Sequence, residues 1–549
     1  MGQVMETLAV WRNPVFRRYA RSRLRLRGAI FWYLFAVIFP TFIVTLSYLI
    51  MTNQGFPAQQ AARNLWIPLL IMQGLILMMK GTGVVSAGII QDKIDQTLDY
   101  QRLTPLSPAQ CIVGYLCGLP VLELVMFAIT IPHVAFIAIV GNIPLSALVS
   151  VYFAFFVCVI LYYMTAIAVG IVMNRWVLGY LLAIFMVLVI NVVLPLLVSQ
   201  LGLKFVQFLS VWPVIGQKVL PVVVPQGLPI NAGNNPFFAM ASDVYVYNTL
   251  VTPFVFTFFL QAALILTFFL MAYRRWQSAT KHSLSKPYAV CFLAGFVLLV
   301  IGNVWPAITG QFLPFPIFGQ TDLRDLTEVI AVAFPGIYSI VTWALAGTLM
   351  MIVTPGHHAC VRGIRRALKL GRSAPRPWED DSANMWFMSL FVVVVMTGFF
   401  VLYSELISAD FFDFRGGADL GLWRLPVALT LVLIYTLVLL QVIELKPTVI
   451  VILLVWFLPI LVAAVLSAAM QEANVIQSVI ASISPIALVL MSSAIPLAEF
   501  VPIDAQDDFQ IDMVVTGCAT GILFVSAQIV FLLVRWRKQT LEFSRITTA

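Results

Sequence analysis

Leu145-Ser-Ala-Leu-Val-Ser-Val-Tyr-Phe-Ala-Phe-Phe-Val-Cys-Val-Ile-Leu-Tyr-Tyr-Met-Thr-Ala-Ile-Ala-Val-Gly-Ile-Val-Met173 runs without one charged residue. A helix needs about 20 apolar residues to cross the hydrocarbon core of a bilayer, and this run exceeds that length. It is unbroken rather than alternating, which argues against a strand of a membrane β-barrel. Similar runs lie on both sides of it, near 29–51, 65–90, 108–140, 176–199 and 249–272. A second set follows near 287–309, 326–353, 386–407, 423–443, 447–470 and 513–534. The expected fold is an all-α polytopic membrane protein with twelve spans.

The composition of the whole chain points the same way. Of its 549 residues, 61% are hydrophobic and only 10% charged, whereas soluble domains carry about 25% charged residues. A soluble globule of this size could not cover its surface with so few charges, and disorder requires low hydrophobicity. The net charge of +8 suits basic residues flanking membrane helices better than it suits a nucleic-acid site, so no nucleic-acid partner is expected. The six cysteines are scattered without a C-x-x-C pair, and neither a disulfide framework nor a zinc ribbon is indicated. The basic start, residues 1–28, reads as an amphipathic cytoplasmic helix and has no short apolar segment with a cleavage site.

The positive-inside rule sets the orientation. Arg12, Arg17, Arg18, Arg21, Arg23, Arg25 and Arg27 precede the first span and place the N-terminus inside. With twelve crossings, 25 of the 32 lysines and arginines fall on that side, and the C-terminus joins them. Two further apolar stretches, 203–224 and 475–499, hold Pro213, Pro221, Pro485 and Pro496 and read as re-entrant or interfacial hairpins on the outer face. A full crossing of both would preserve the same termini.

The two sets share one layout: two spans, a cytoplasmic connection, three spans, a proline-broken outer stretch and a last span. Both begin and end inside, so they are expected to be parallel six-helix repeats. The first half covers 29–275, a basic linker 276–286, and the second half 287–549. The outer breaks share Ser210-Val-Trp-Pro213 and Ser482-Ile-Ser-Pro485, a match too short to carry weight alone.

One segment says more than "membrane". Asp92-Lys-Ile-Asp-Gln-Thr-Leu-Asp-Tyr-Gln-Arg-Leu-Thr-Pro-Leu-Ser-Pro108 lies in the first connection, 91–107. It is short, charged and amphipathic, with a helical face expected to show Ile94, Leu98 and Arg102 at i, i+4 and i+8. Ser107 and Pro108 suit the start of the next helix. The segment resembles the coupling helix of the membrane subunits of ATP-binding-cassette exporters of the type-2 exporter class. There the pattern is Glu-x-Glu-x-Gly-Thr-Leu-Glu followed by a Thr-Pro-Leu-Ser-like turn. Asp92, Asp95, Thr97, Leu98 and Asp99 match it with Asp for Glu, and Arg102, Thr104 and Pro105 follow. Gln96 stands where that family has glycine. The basic N-terminus and the broken stretch before the sixth span also resemble the family, and the likeness covers roughly residues 12–275.

The second connection, 354–385, departs from the pattern. It reads His357-His-Ala-Cys-Val-Arg-Gly-Ile-Arg-Arg-Ala-Leu-Lys-Leu-Gly371 and then Arg376-Pro-Trp-Glu-Asp-Asp381, a basic helix with an acidic end. Contact with an ATPase, contact with anionic lipid and an ordinary positive-inside loop all fit it. His357, His358 and Cys360 offer three metal ligands without a fourth, so no metal site is expected.

No G-x-x-x-x-G-K-[ST] sequence occurs, and no soluble stretch is long enough for a nucleotide-binding domain. The resemblance therefore implies a non-enzymatic permease subunit of an exporter, with ATP and magnesium held by a separate ATPase chain. It also implies a bacterial inner (plasma) membrane, lipid as a partner, and a homodimer or a pseudo-dimer within one chain; no cofactor is bound by this chain. Two other classes remain open: an ion-coupled secondary transporter, and a non-transporting scaffold that retains the permease fold. Ion coupling needs intramembrane charges, and the spans supply few beyond Lys80, Glu123 and His133. Lys80 is about 16 Å, and Glu123 about 22 Å, from the cytoplasmic ends of their expected spans at 1.5 Å per residue. A buried ion pair between them is expected, as a structural tie or a polar point on a path. His133, beside Pro132, reads as a satisfied interior histidine.

Overall fold

The computed structural model describes residues 10–173, 175–193, 204–223, 244–247, 249–278, 281–308, 338–339, 341–372, 375–382, 385–408, 458–469, 475–485, 487–488 and 511–548. Apart from a two-stranded hairpin, Val244–Val246 with Thr249–Val251, the regular elements described are helices. The chain divides into two compact units, Met1–Tyr245 with Thr249–Ser283, and Val246–Asn248 with Leu284–Ala549.

In the first unit, α1 spans Pro14–Arg23 and α2 spans Leu26–Asn53. Helix α3 is a 37-residue rod, Ala58–Ile94. A short α4, Thr97–Arg102, leads to α5, Pro108–Gly118, and α6, Val121–Val140. Then come α7, Leu145–Val172, α8, Trp176–Leu188, α9, Trp212–Lys218, and α10, Pro253–Gln277. Among the described residues seven helices are long and apolar enough to cross a membrane: Gly28–Asn53, Ala58–Ile94, Val121–Val140, Leu145–Val172, Trp176–Val193, Pro253–Gln277 and Lys286–Trp305. Six belong to the first unit. The chain is a membrane-embedded, all-helical, polytopic protein.

The expected span 108–140 is two helices, not one. Pro120 has no N–H to give and its ring displaces the preceding turn, so the chain breaks at Leu119–Pro120 and restarts, with Leu124 N donating to Pro120 O at 2.9 Å. Only α6 is long enough to cross. Glu123 lies in the first turn of α6. A carboxylate there faces the positive end of the helix dipole.

The stretch 204–223 is broken backbone packed inside the unit: a 3-10 turn at Lys204–Leu209, then α9, then one turn at Leu220–Val223. Phe205, Phe208, Val211, Val214 and Val219 are buried. Carbonyls freed by the break find side-chain donors on neighbouring helices. Gln261 Nε2 of α10 donates to Phe208 O at 3.2 Å and Ser210 O at 3.3 Å, and Tyr162 OH of α7 donates to Leu209 O at 3.4 Å. Non-helical backbone at membrane depth survives only under such cover.

In the second unit, α11 spans Lys286–Ile308. Helix α12, Val341–Val353, is followed after a bend of 56° by α13, His357–Lys369. The remainder described is α14, Met385–Ser408, α15, Leu458–Ala469, α16, Val475–Ser482, and α17, Ile511–Thr548. Small residues set the approach of the last two: a Cβ on Gly521 would lie 2.7 Å from Ser482 O, and one on Gly517 3.1 Å from Ser478 O. The span expected near 423–443 lies outside the described residues, as do parts of those near 326–353 and 447–470 and part of the stretch 475–499.

Candidate functional site

The connection 91–107 is compact because each of its bends has a local cause. Helix α3 continues through Ile94, so Asp92 and Lys93 stand on its last turn. Gln91 Nε2 donates to Asp95 Oδ1 at 3.1 Å across that turn. Gln96 then adopts φ 57, ψ 12, the left-handed region that glycine enters freely and other residues enter at a cost of roughly 1–2 kcal/mol. Helix α4 follows and ends at Arg102. Ser107 caps α5 with a reciprocal pair: its Oγ accepts from Gln110 N at 3.2 Å and Gln110 Oε1 accepts from Ser107 N at 3.0 Å.

The left-handed residue breaks the expected stripe of Ile94, Leu98 and Arg102. Ile94 belongs to α3 and is 52% exposed, whereas Leu98 on α4 is buried. Arg102 pairs with Asp99, and its Nη2 donates to Arg275 O at 3.0 Å, tying α4 to the end of α10. Thr104 Oγ1 donates to Gln101 O at 2.6 Å. Thr97 is half-buried and Pro105 exposed. The outward surface is Ile94, Asp95, Asp99, Tyr100, Leu103 and Pro105, with Tyr100 71% and Leu103 84% exposed.

Asp92 differs from its acidic neighbours. It does not face outward with Asp95 and Asp99 but is buried. Its carboxylate accepts from Tyr19 OH, from Tyr115 OH at 2.5 Å and from Arg18 Nη2 at 3.3 Å. Gln101 Nε2 of α4 donates in turn to Tyr115 OH at 2.8 Å. One carboxylate thus joins α1, α3 and α5, with α4 attached through Gln101. Burial, and after it the Asp92 charge, holds the Tyr19 hydroxyl far above its ordinary pKa, so it remains a donor at any pH the protein meets.

Helix α1 reaches this node because α5 is smooth where they cross. A Cβ on Gly114 would lie 2.7 Å from Val15 Cβ, and one on Gly118 3.1 Å from Phe16 Cα. Val15 and Phe16 are buried there, and Asn13 Nδ2 donates to Gln110 O at 2.6 Å. Lys93 turns the other way. Its Nζ donates to Ile171 O at 2.8 Å and Met173 O at 3.1 Å, capping the C-terminus of α7. A pocket of about 210 Å³ lined by Lys93, Leu98, Asp99, Arg102, Ile171, Arg275 and Trp276 lies behind α4.

Lys80 and Glu123 are together: Nζ lies 3.1 Å from Oε1. Lys80 sits in a π-helical segment of α3, Leu75–Gly81, where the wider turn re-aims its side chain. Its ammonium lies over the Trp32 ring at 3.3 Å from the centroid. Glu123 is fully buried, and its Oε2 has no hydrogen-bond partner. One turn-pair further along α3, Gln73 bridges Thr130 and Tyr152 at 2.8 Å each. His133 Nε2 lies 2.9 Å from Thr41 Oγ1, and its Nδ1 has no partner.

The second connection folds on itself. Lys286 Nζ donates to the carbonyls of Pro377 at 3.3 Å, Glu379 at 2.8 Å and Ser382. Arg366 of α13 pairs with Glu379 at 2.8 Å and Asp381 at 3.4 Å. The acidic end seen in the sequence is therefore spent largely on its own basic helix. Cys360 is buried and His358 exposed, and among the described residues no three His, Cys, Asp or Glu side chains are placed to hold a metal. Comparison with family models, with curated proteins and with solved structures gives no match.

Proposed function

We propose that the chain is the permease subunit of an ATP-binding-cassette exporter in a bacterial inner membrane, with twelve spans in two parallel halves and both termini in the cytoplasm. ATP and magnesium are held by a separate ATPase chain. The observation that carries this reading is the short helix Thr97–Arg102, set on the turn between the long α3 and the short α5 and presenting two acids beside Ile94, Tyr100 and Leu103. Exposed apolar side chains of this size rimmed by charge suit a protein partner. The left-handed backbone at Gln96 adds support, since it is the conformation a glycine would hold at that place in the motif.

In this mechanism the partner presses on α4, and the bonds described above distribute the displacement. Asp92 and Gln101 carry it to α1 and α5, Lys93 to α7, and Arg102 to α10. Two discrete arrangements of the bundle then follow the partner's nucleotide state. The test is purification of the tagged chain from its native membrane with identification of what accompanies it. An ATPase subunit whose hydrolysis rate falls when Asp95 and Asp99 are replaced by Arg is expected. A native complex that contains no ATPase refutes the proposal.

A further inference from the structure

The docked helix α1 has a second face that the contacts above leave unused. Val15, Phe16 and Tyr19 point inward, while Arg17 and Arg21 are exposed one turn apart on α1 and Arg25 is exposed in the short linker after it, with Trp11 and Arg12 exposed at the start. Trp11 is 78% exposed, set edge-on to Phe16 at 5.3 Å between ring centroids, and its carbonyl accepts from Arg17 Nε at 2.7 Å. No acidic residue occurs between Thr7 and Gln91, so the first acid after this row is Asp92, whose bonds lie on the inner face. Only Leu24 and Arg25 separate α1 from the membrane-embedded α2. Chain connectivity therefore keeps the row of guanidinium groups at the membrane boundary.

We infer that this face of α1 binds the headgroups of anionic phospholipids in the adjoining leaflet. The charge is complementary, and the guanidinium fork matches phosphate oxygens. Trp11 supplies the amphipathic ring favoured at headgroup depth, and basic clusters beside a membrane helix are drawn to acidic lipid. An acidic protein surface would need none of the three features together: the adjoining span, the exposed indole and the exposed arginines. The inference does not depend on the chain serving an ATPase.

The experiment uses the full chain, delipidated in detergent, with phosphatidylglycerol and phosphatidylcholine of matched acyl chains competing for it in native mass spectrometry. Phosphatidylglycerol is expected to be retained preferentially. At about fivefold per guanidinium, the triple variant R17Q/R21Q/R25Q loses roughly 100-fold of that preference, and R17K/R21K/R25K keeps most of it. Equal retention of the two lipids by the unaltered protein overturns the inference, as does an unchanged preference in the glutamine variant. If that variant does not fold, the unaltered protein and the lysine variant still decide. Inorganic phosphate added at matched ionic strength is expected not to displace the lipid; displacement would mean a free-anion site and would overturn the lipid assignment.

Discussion

Replacing Asp92 by Ala removes the acceptor shared by Tyr19, Tyr115 and Arg18. Two buried hydroxyls lose a charged partner, and hydrogen bonds to charged groups are worth about 1.5–3 kcal/mol each. Relief of the desolvation cost of the carboxylate offsets part of this, and breaking a buried polar cluster by deleting one member costs about 3–5 kcal/mol. What remains to hold α1 is the burial of Val15 and Phe16, at about 1.5–3 kcal/mol per side chain, and the Asn13 bond, at about 1 kcal/mol. The helix therefore stays docked on average but opens far more often. At 1.4 kcal/mol per tenfold, a loss of about 3–5 kcal/mol speeds hydrogen exchange of the α1 and α4 amides by about 10² to 4 × 10³-fold, wherever docking rather than local helix structure protects them. Exchange of the full chain in detergent, read peptide by peptide, measures this, with α7 as the internal standard. Asp95→Ala and Asp99→Ala, whose partners Gln91 and Arg102 lie outside the Asp92 node, are expected to leave α1 unchanged. If Asp92→Ala folds and α1 exchanges within threefold of the unaltered protein, the node does not hold the helix and the reasoning fails.

Gln96→Gly removes left-handed strain of roughly 1–2 kcal/mol against an entropic cost of about 0.5–1 kcal/mol, so thermal unfolding in detergent is expected to rise slightly, and Gln96→Val to lower it. Lys80→Met leaves the fully buried Glu123 unpaired and is expected to cost about 3–5 kcal/mol, whereas Lys80→Met with Glu123→Gln recovers most of the loss; equal melting of the single and double variants would count against the pair. Gly118→Leu drives a side chain into the Phe16 backbone and costs about 1–3 kcal/mol by overpacking, seen as faster trypsin cleavage at the arginines of α1 with unchanged cleavage elsewhere.

The apolar helices of the first unit were legible because lipid imposes a single requirement, a long uncharged run, that local sequence states outright. The break at Leu119–Pro120 was not, since the run stays apolar through it and proline inside a membrane helix is often tolerated. The pairing of Lys80 with Glu123 was legible from cost, because a buried charge needs a partner. The π-helical turn that aims Lys80 was not, as no residue type marks it. Asp92 was the harder case. In a polar stretch an acid reads as solvated, and its true partners, Tyr19 and Tyr115, lie 73 and 23 residues away, on helices whose meeting depends on Gly114 and Gly118.

The inward placement of Asp92 bears on how the proposed coupling segment works. If all three acids faced the partner, the segment would be a charged patch on a loose turn, and a push would be absorbed by the turn. With Asp92 turned inward, the surface that is pressed and the node that is held are adjacent on one short piece of chain. Helix α3 is about 55 Å long at 1.5 Å per residue, against about 30 Å of hydrocarbon, so in the proposed mechanism it is the element that would carry a push at the turn to the far side of the unit. Its compliant point is the π-helical segment Leu75–Gly81, where the wider hydrogen-bond register is a stretch that can be rewound locally. Lys80, paired with Glu123 and seated on Trp32, pins that point to α6 and α2. A lever held at one end by Asp92 and pinned near its middle by Lys80 turns about the pin, so weakening the pair should disconnect the far half of α3 from the turn while leaving the turn itself intact.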